Sequence, residues 1–174
     1  MATPSFYPRV QLISDGADIS PGTSQTAQVQ VVPTTAGAAY AAGAVVGGLL
    51  TFTGASRAAA GSGLVQAVTV TFASGVTPTM DMILLNATPS GGTITNNVAL
   101  ALFSGDLAKV VGVVRIADAA LLGVASPSIV QGQAQGLPFR LPAGTALYGI
   151  LVLRTAATLV GTTDATVTLS VLQD

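Results

Sequence analysis

The stretch that most restricts the fold is Ala36–Phe52, AGAAYAAGAVVGGLLTF. It carries no charge, and the nearest charged residues are Asp18 before it and Arg57 after it. An apolar run of this length approaches the ~20 residues of a membrane span. The chain therefore either crosses a bilayer here or buries the stretch in a protein core. Gly37, Gly43, Gly47 and Gly48 interrupt the run, its first half is alanine-rich, and no Lys or Arg flanks it closely as an interfacial anchor. These features favour a linker followed by a strand at about Ala44–Phe52. Gly47-Gly48 is expected to mark a bulge or a close approach to a neighbour.

The rest of the chain reads the same way. Ala27–Val32 alternates, with Ala27, Val29 and Val31 facing one way and Gln28 and Gln30 the other, the period-2 signature of a half-buried strand. Leu64–Ala73 places Val68, Val70 and Phe72 opposite Thr69 and Thr71, and Ala165–Gln173 places Val167, Leu169 and Val171 opposite Thr166, Thr168 and Ser170. Further strands are predicted at Met80–Ala87, Val110–Ile116 and Ser128–Gln135. Leu137–Gly144 reads as an extended edge because of its prolines. Ala146–Arg154 is apolar on both faces and reads as a central strand. Asn97–Phe103 is open between strand and helix, and Ser104–Lys109 reads as one helical turn capped by Ser104 with Asp106 in its first turn. Ala117–Ser126 reads as loop. Eight or nine short strands with turn signals between them predict an all-β chain, an antiparallel β-sandwich of jelly-roll type. Residues 1–35 form an extended N-terminal arm and first strand, and 36–174 a single sandwich domain. The arm, with Pro4, Pro8 and Pro21, is expected to turn at Ser14–Asp18 and to lie on its own domain or on a neighbouring subunit. Met1–Ser20 lacks the apolar core of a secretory signal.

Charge constrains function more than motifs do. Charged residues make up 7% of the 174-residue chain, against ~25% in ordinary soluble domains. A folded monomer of this mass exposes about 7,800 Å², which leaves about one charge per 600 Å². Such a surface is poorly protected against association. A membrane, an assembly of copies or partners, or a surface of Thr, Ser, Asn and Gln would each account for it, and the composition favours the last two. Net charge is −1 and the basic residues are scattered, so no basic field invites nucleic acid.

Catalytic parts are missing from the sequence. There is no His and no Cys, which removes the usual zinc ligands and the Ser-His and Cys-His pairs. The seven acidic residues are all aspartates, spread over loops and strands without the paired arrangement of a glycosidase. Asp15–Asp18 has too short an acidic spacing for a dedicated calcium loop and reads as a turn. Gly61–Gly63 lacks the lysine of a phosphate loop, and Asn86–Thr88 and Gly43–Gly47 match glycosylation and helix-dimer patterns that arise easily by chance. No enzyme activity, cofactor or metal is expected. Arginine suits interfaces because its planar fork tolerates partial desolvation. Arg57, Arg115, Arg140 and Arg154 fall on strand ends or loops. Of these, Arg57, Arg140 and Arg154 are taken as interface candidates, with Phe6, Tyr7, Arg9 and Leu12 of the arm.

From about Tyr40 onward the chain carries the blocks AGAVVGGLLTF, GSGLVQAVTVTF, MDMILLNATPSGGTITNNVALAL, DLAKVVGVVRI, LPFRLPAGTALYGILVLRTA and DATVTLSVLQD. This series resembles small virion structural proteins of tailed bacteriophages, the decoration or cement proteins. The resemblance implies a homotrimeric sandwich on the outer capsid surface that clamps subunits of the major capsid protein, after assembly in the host cytoplasm, without membrane or nucleic-acid contacts. A head- or tail-fibre module that recognises a host glycan is the competing expectation, and an integral membrane protein the third.

Overall fold

The computed structural model describes residues 13–14, 17–18, 25–122 and 127–174. Nine strands build two sheets: β1 Gln25–Val31, β2 Val45–Phe52, β3 Ser62–Phe72, β4 Met80–Leu85, β5 Val110–Ile116, β6 Asp118–Leu121, β7 Ser128–Arg140, β8 Leu147–Leu153 and β9 Ala165–Gln173. The smaller sheet has the order β5-β4-β8-β2 and the larger β6-β7-β3-β9-β1. Every pairing within them is antiparallel. The pairs are nested: β1 lies against β9, β2 against β8, β3 against β7 and β4 against β5. The chain is thus an all-β antiparallel sandwich. Two-residue ribbons join Ala39–Tyr40 to Ala157–Thr158 and Gly92–Thr93 to Ala101–Leu102. Another pairs Ile13–Ser14 with Ala17–Asp18, where the sequence predicts a turn.

Alternation decides which side chains enter the space between the sheets. β3 contributes Val65, Val68, Val70 and Phe72, and β9 contributes Val167, Leu169 and Val171. The smaller sheet answers with Val46, Leu50 and Phe52, with Met80, Met82 and Leu84, and with Val114, Ile116, Leu151 and Leu153. Burying each of the larger of these side chains stabilises the fold by about 1.5–3 kcal/mol. At Ala117 the chain steps from β5 in one sheet to β6 in the other, and its N–H donates to the Gln131 carbonyl at 3.1 Å. Gly132 permits that approach. A Cβ there would lie 2.3 Å from the Arg115 carbonyl oxygen.

The charge-free stretch resolves into a connection and β2, and among the described residues no helix is long and apolar enough to cross a membrane. Gly47-Gly48 is the expected bulge. Ile150 faces Leu49 while the next residue, Leu151, faces Val46, and the two glycines take φ of 76° and 78°. The close approach is to the chain itself, since a Cβ on Gly47 would meet Pro33 Cβ at 2.2 Å.

Three expectations are corrected and one open reading is decided. Ala117–Ser126 is not all loop, because Asp118–Leu121 pairs with the start of β7. Ser128–Gln135 and Leu137–Gly144 are not separate strands. Residues 128–135 and 137–140 join in β7 through an irregularity between Gln133 and Leu137 opposite β3, and residues 141–144 lie outside the strand. In Asn97–Phe103 only Ala101–Leu102 is strand. Ser104 does not cap the short 3₁₀ helix Ser104–Lys109, whose N-cap is Phe103 without a side-chain hydrogen bond. The carboxylate of its first turn is engaged elsewhere.

Candidate functional site

β4 and β5 are neighbours, yet residues 86–109 separate them, far more than the 2–5 residues of a hairpin loop. The smaller sheet explains the excursion. Its outer face presents Val45, Ile150, Val152 and Leu85, all buried, and Ile94, Leu100 and Leu102 of the connection pack on them with Leu49, Ile83 and Tyr148. The connection is a lid on that face.

Backbone and polar groups hold the lid at both ends. At one end, Val45 N–H donates to Val98 O at 2.9 Å, Asn97 N–H to Val45 O at 2.8 Å and Leu100 N–H to Gly43 O at 3.0 Å. These bonds cover the start of the open edge of β2, an edge of the kind that can template association. Buried Tyr40 adds its hydroxyl, which donates to Asn96 Oδ1 at 2.8 Å and accepts from Ala36 N–H at 2.6 Å, while Gly47 N–H reaches the same Asn96 oxygen at 2.9 Å. At the other end, the fully buried Asp106 carboxylate accepts from Lys109 Nζ at 2.8 Å, from Ser90 N–H at 2.9 Å, from Ser90 Oγ at 2.7 Å and from Gly91 N–H at 3.1 Å. The Lys109 ammonium, followed by the Ser90 and Gly91 donors, holds this carboxyl well below the usual carboxylate range against the opposing cost of burial.

Beyond the lid, where β4 and β8 meet at Met80 and Leu153, the outer face becomes polar. Asp81 faces away from the core and its carboxyl is 4% exposed. Arg115, its register partner on β5, donates Nε to Asp81 Oδ1 and Nη2 to Oδ2 at 3.4 Å. Arg154, just past β8, donates Nε to Oδ2 at 2.6 Å. Both guanidiniums are open to solvent, Arg115 62% exposed and Arg154 45%. On the same face of β5, two residues from Arg115, stands exposed Val113. Val98, Phe103 and Leu107 on the lid are exposed apolar side chains as well.

The described interface candidates do not form one patch. Arg154 joins Arg115 and Asp81 at this end of the sandwich. Arg57, in the connection after β2, and Arg140, the last residue of β7, are exposed at the opposite end. Phe6, Tyr7, Arg9 and Leu12 lie outside the described residues. Sequence reading missed Asp81 because it sits alone in an apolar strand. Its partners are neighbours only through the sheet register. Asp164 was missed likewise. Its carboxylate accepts from Ser74 N–H at 2.8 Å, Ser74 Oγ at 2.6 Å and Val160 N–H at 2.8 Å, tying two connections together.

Three of the seven aspartates, Asp81, Asp106 and Asp164, are therefore buried and engaged in internal bonds; Asp106 and Asp164 fasten backbone, and Asp81 holds two guanidiniums. Among the described residues no group of His, Cys, Asp or Glu has the arrangement of a metal site. Of the described aromatic side chains only Phe103 is exposed. No family model matches the chain, and no curated protein or solved structure matches it.

Proposed function

We propose that this chain is a non-enzymatic virion structural protein of a tailed bacteriophage, a decoration protein that seats on the outer capsid surface between major capsid protein subunits and cements them. The observation that carries the reading is the state of its surface. An already small set of charges loses Asp81, Asp106 and Asp164 to the interior, while Val98, Phe103, Leu107 and Val113 stand exposed around one sheet face. A surface so poor in charge and carrying large apolar side chains is built to be covered. The nested strand pairing supports a jelly roll, the architecture of two Greek keys that many capsid proteins share. The series of strand blocks from Tyr40 to the end supports the phage assignment and a homotrimer.

A cement protein works by mass action: it binds the assembled lattice and not the free subunit, and so stabilises the assembled state. No bond is made or broken. The test mixes purified protein with mature capsids of the encoding phage stripped of accessory proteins, and separately with unassembled capsid protein. Light scattering is expected to give a trimer. Cosedimentation and electron microscopy are expected to place it on capsids only, and to raise the temperature at which they open. A strict monomer that ignores capsids sinks the proposal.

A further inference from the structure

The pair of guanidiniums over Asp81 points to a binding site for a carboxylate. We infer that Arg115 and Arg154 form a clamp for a single carboxylate borne on an aliphatic stem, as in an Asp or Glu side chain of a protein partner. Asp81 engages Nε of both arginines and Nη2 of Arg115, which leaves Nη1 of Arg115 and both terminal nitrogens of Arg154 without a partner in the described residues. Arginine is at its strongest with carboxylates when its fork is held in place, because little rotamer entropy is then lost on binding. Asp81 does the holding. It is buried, it lies on a central strand, and one partner is fixed by direct strand register and the other by the end of β8, where Arg154 N–H also donates to Thr79 O at 2.7 Å.

Charge and surroundings select the ligand. Two guanidiniums over one carboxylate leave a local charge of +1, which a monoanion neutralises and a phosphate dianion overshoots. Exposed Val113 lies beside Arg115, and half-buried Ile83 is its register partner on β4. An aliphatic stem can rest there while its carboxylate reaches the clamp. A polyanion would need a basic stripe, and the chain has six basic residues in all, of which Arg57 and Arg140 are at the other end. The inference stands apart from the capsid reading, since the clamp would serve any partner with this chemistry.

The test is a titration of the full chain with propionate, and separately with inorganic phosphate, followed through the arginine Nε–Hε signals and the Val113 methyls by NMR. The Arg115, Arg154 and Val113 signals are expected to move on one saturating curve, at concentrations at least roughly tenfold below those that move Arg140. Arg154→Gln is expected to abolish saturation at Arg115. Arg154→Lys, which keeps the charge and loses the fork, is expected to do the same with the fold unaltered in the backbone spectrum. Shifts at Arg115 and Arg154 that track Arg140, retained saturation in both variants, or phosphate saturating below propionate would each overturn the inference.

Discussion

Single carboxylates do much of the work of shaping this molecule. Asp164 receives two backbone N–H groups and a hydroxyl from connections that strand packing alone would leave loose. Truncating a buried acceptor strands its donors, at a cost of about 1–3 kcal/mol for each group left unpaired. Asp164→Ala is expected to lower stability by about 3 kcal/mol, read as a fall in the urea midpoint at unchanged slope. Asp106 adds a dependence on pH. Its folded carboxyl titrates below the unfolded value of about 3.9, so the unfolded chain binds the proton more readily. Its contribution is complete above that unfolded value and is lost as pH falls toward the folded one. Stability measured from pH 6 to pH 2 should therefore fall below about pH 4, and Asp106→Asn should flatten that part of the curve. A curve of the same shape in the variant would show that Lys109, Ser90 and Gly91 do not set this titration.

At the scale of elements, what the sequence makes legible is the face each side chain takes. What it leaves hidden is the partner. Val68, Val70 and Phe72, or Val167, Leu169 and Val171, announce a buried face by their spacing, because alternation is a local property of an extended chain. β8 announces burial on both faces by the absence of alternation. Nothing local says that its outer face is covered by a lid drawn from residues 86–109, since that contact depends on where β4 and β5 come to lie. The same limit hid the arginine clamp: Asp81 and Arg115 become neighbours only through register. It also hid that the segments on either side of Gly136 belong to one strand, β7, with an irregularity inside it. Gly47-Gly48 was legible because a glycine pair inside an apolar strand has few other uses. Two substitutions probe the lid and the bulge. Gly47→Ala brings a Cβ within 2.2 Å of Pro33 Cβ at a positive φ and is expected to cost at least about 2 kcal/mol in thermal or denaturant unfolding. Tyr40→Phe removes the hydroxyl between Ala36 and Asn96 and is expected to cost about 1 kcal/mol. It should also speed amide exchange at Asn97 and Leu100 more than in β3 or β9. Equal acceleration throughout would mean that Tyr40 acts on the whole sandwich and not on the lid.

Nested pairing governs the molecule as a whole. Gln30 and Thr168 donate and accept across β1 and β9 although they stand 138 positions apart. β9 is no edge strand, because it lies between β3 and β1 in the larger sheet. β9 is thus needed before β1 has its partner in the sheet and before β3 has its second. Without it, β3 loses one of its two ladders, β1 loses its pairing in the sheet, and the core loses Val167, Leu169 and Val171. Loop closure over such separations must be met before the contacts reward it, which puts folding in the slow range of about milliseconds to seconds. A chain ending at Thr163 is expected to lack the cooperative unfolding transition of the full protein and to associate through the exposed ladder of β3. Circular dichroism against denaturant and light scattering read both effects. Supplying residues 164–174 as a separate peptide should restore the transition, because the gap it fills has a ladder on each side. A truncated chain that unfolds cooperatively by itself would show that the two sheets close without β9 and that the nesting is a result of folding, not its condition.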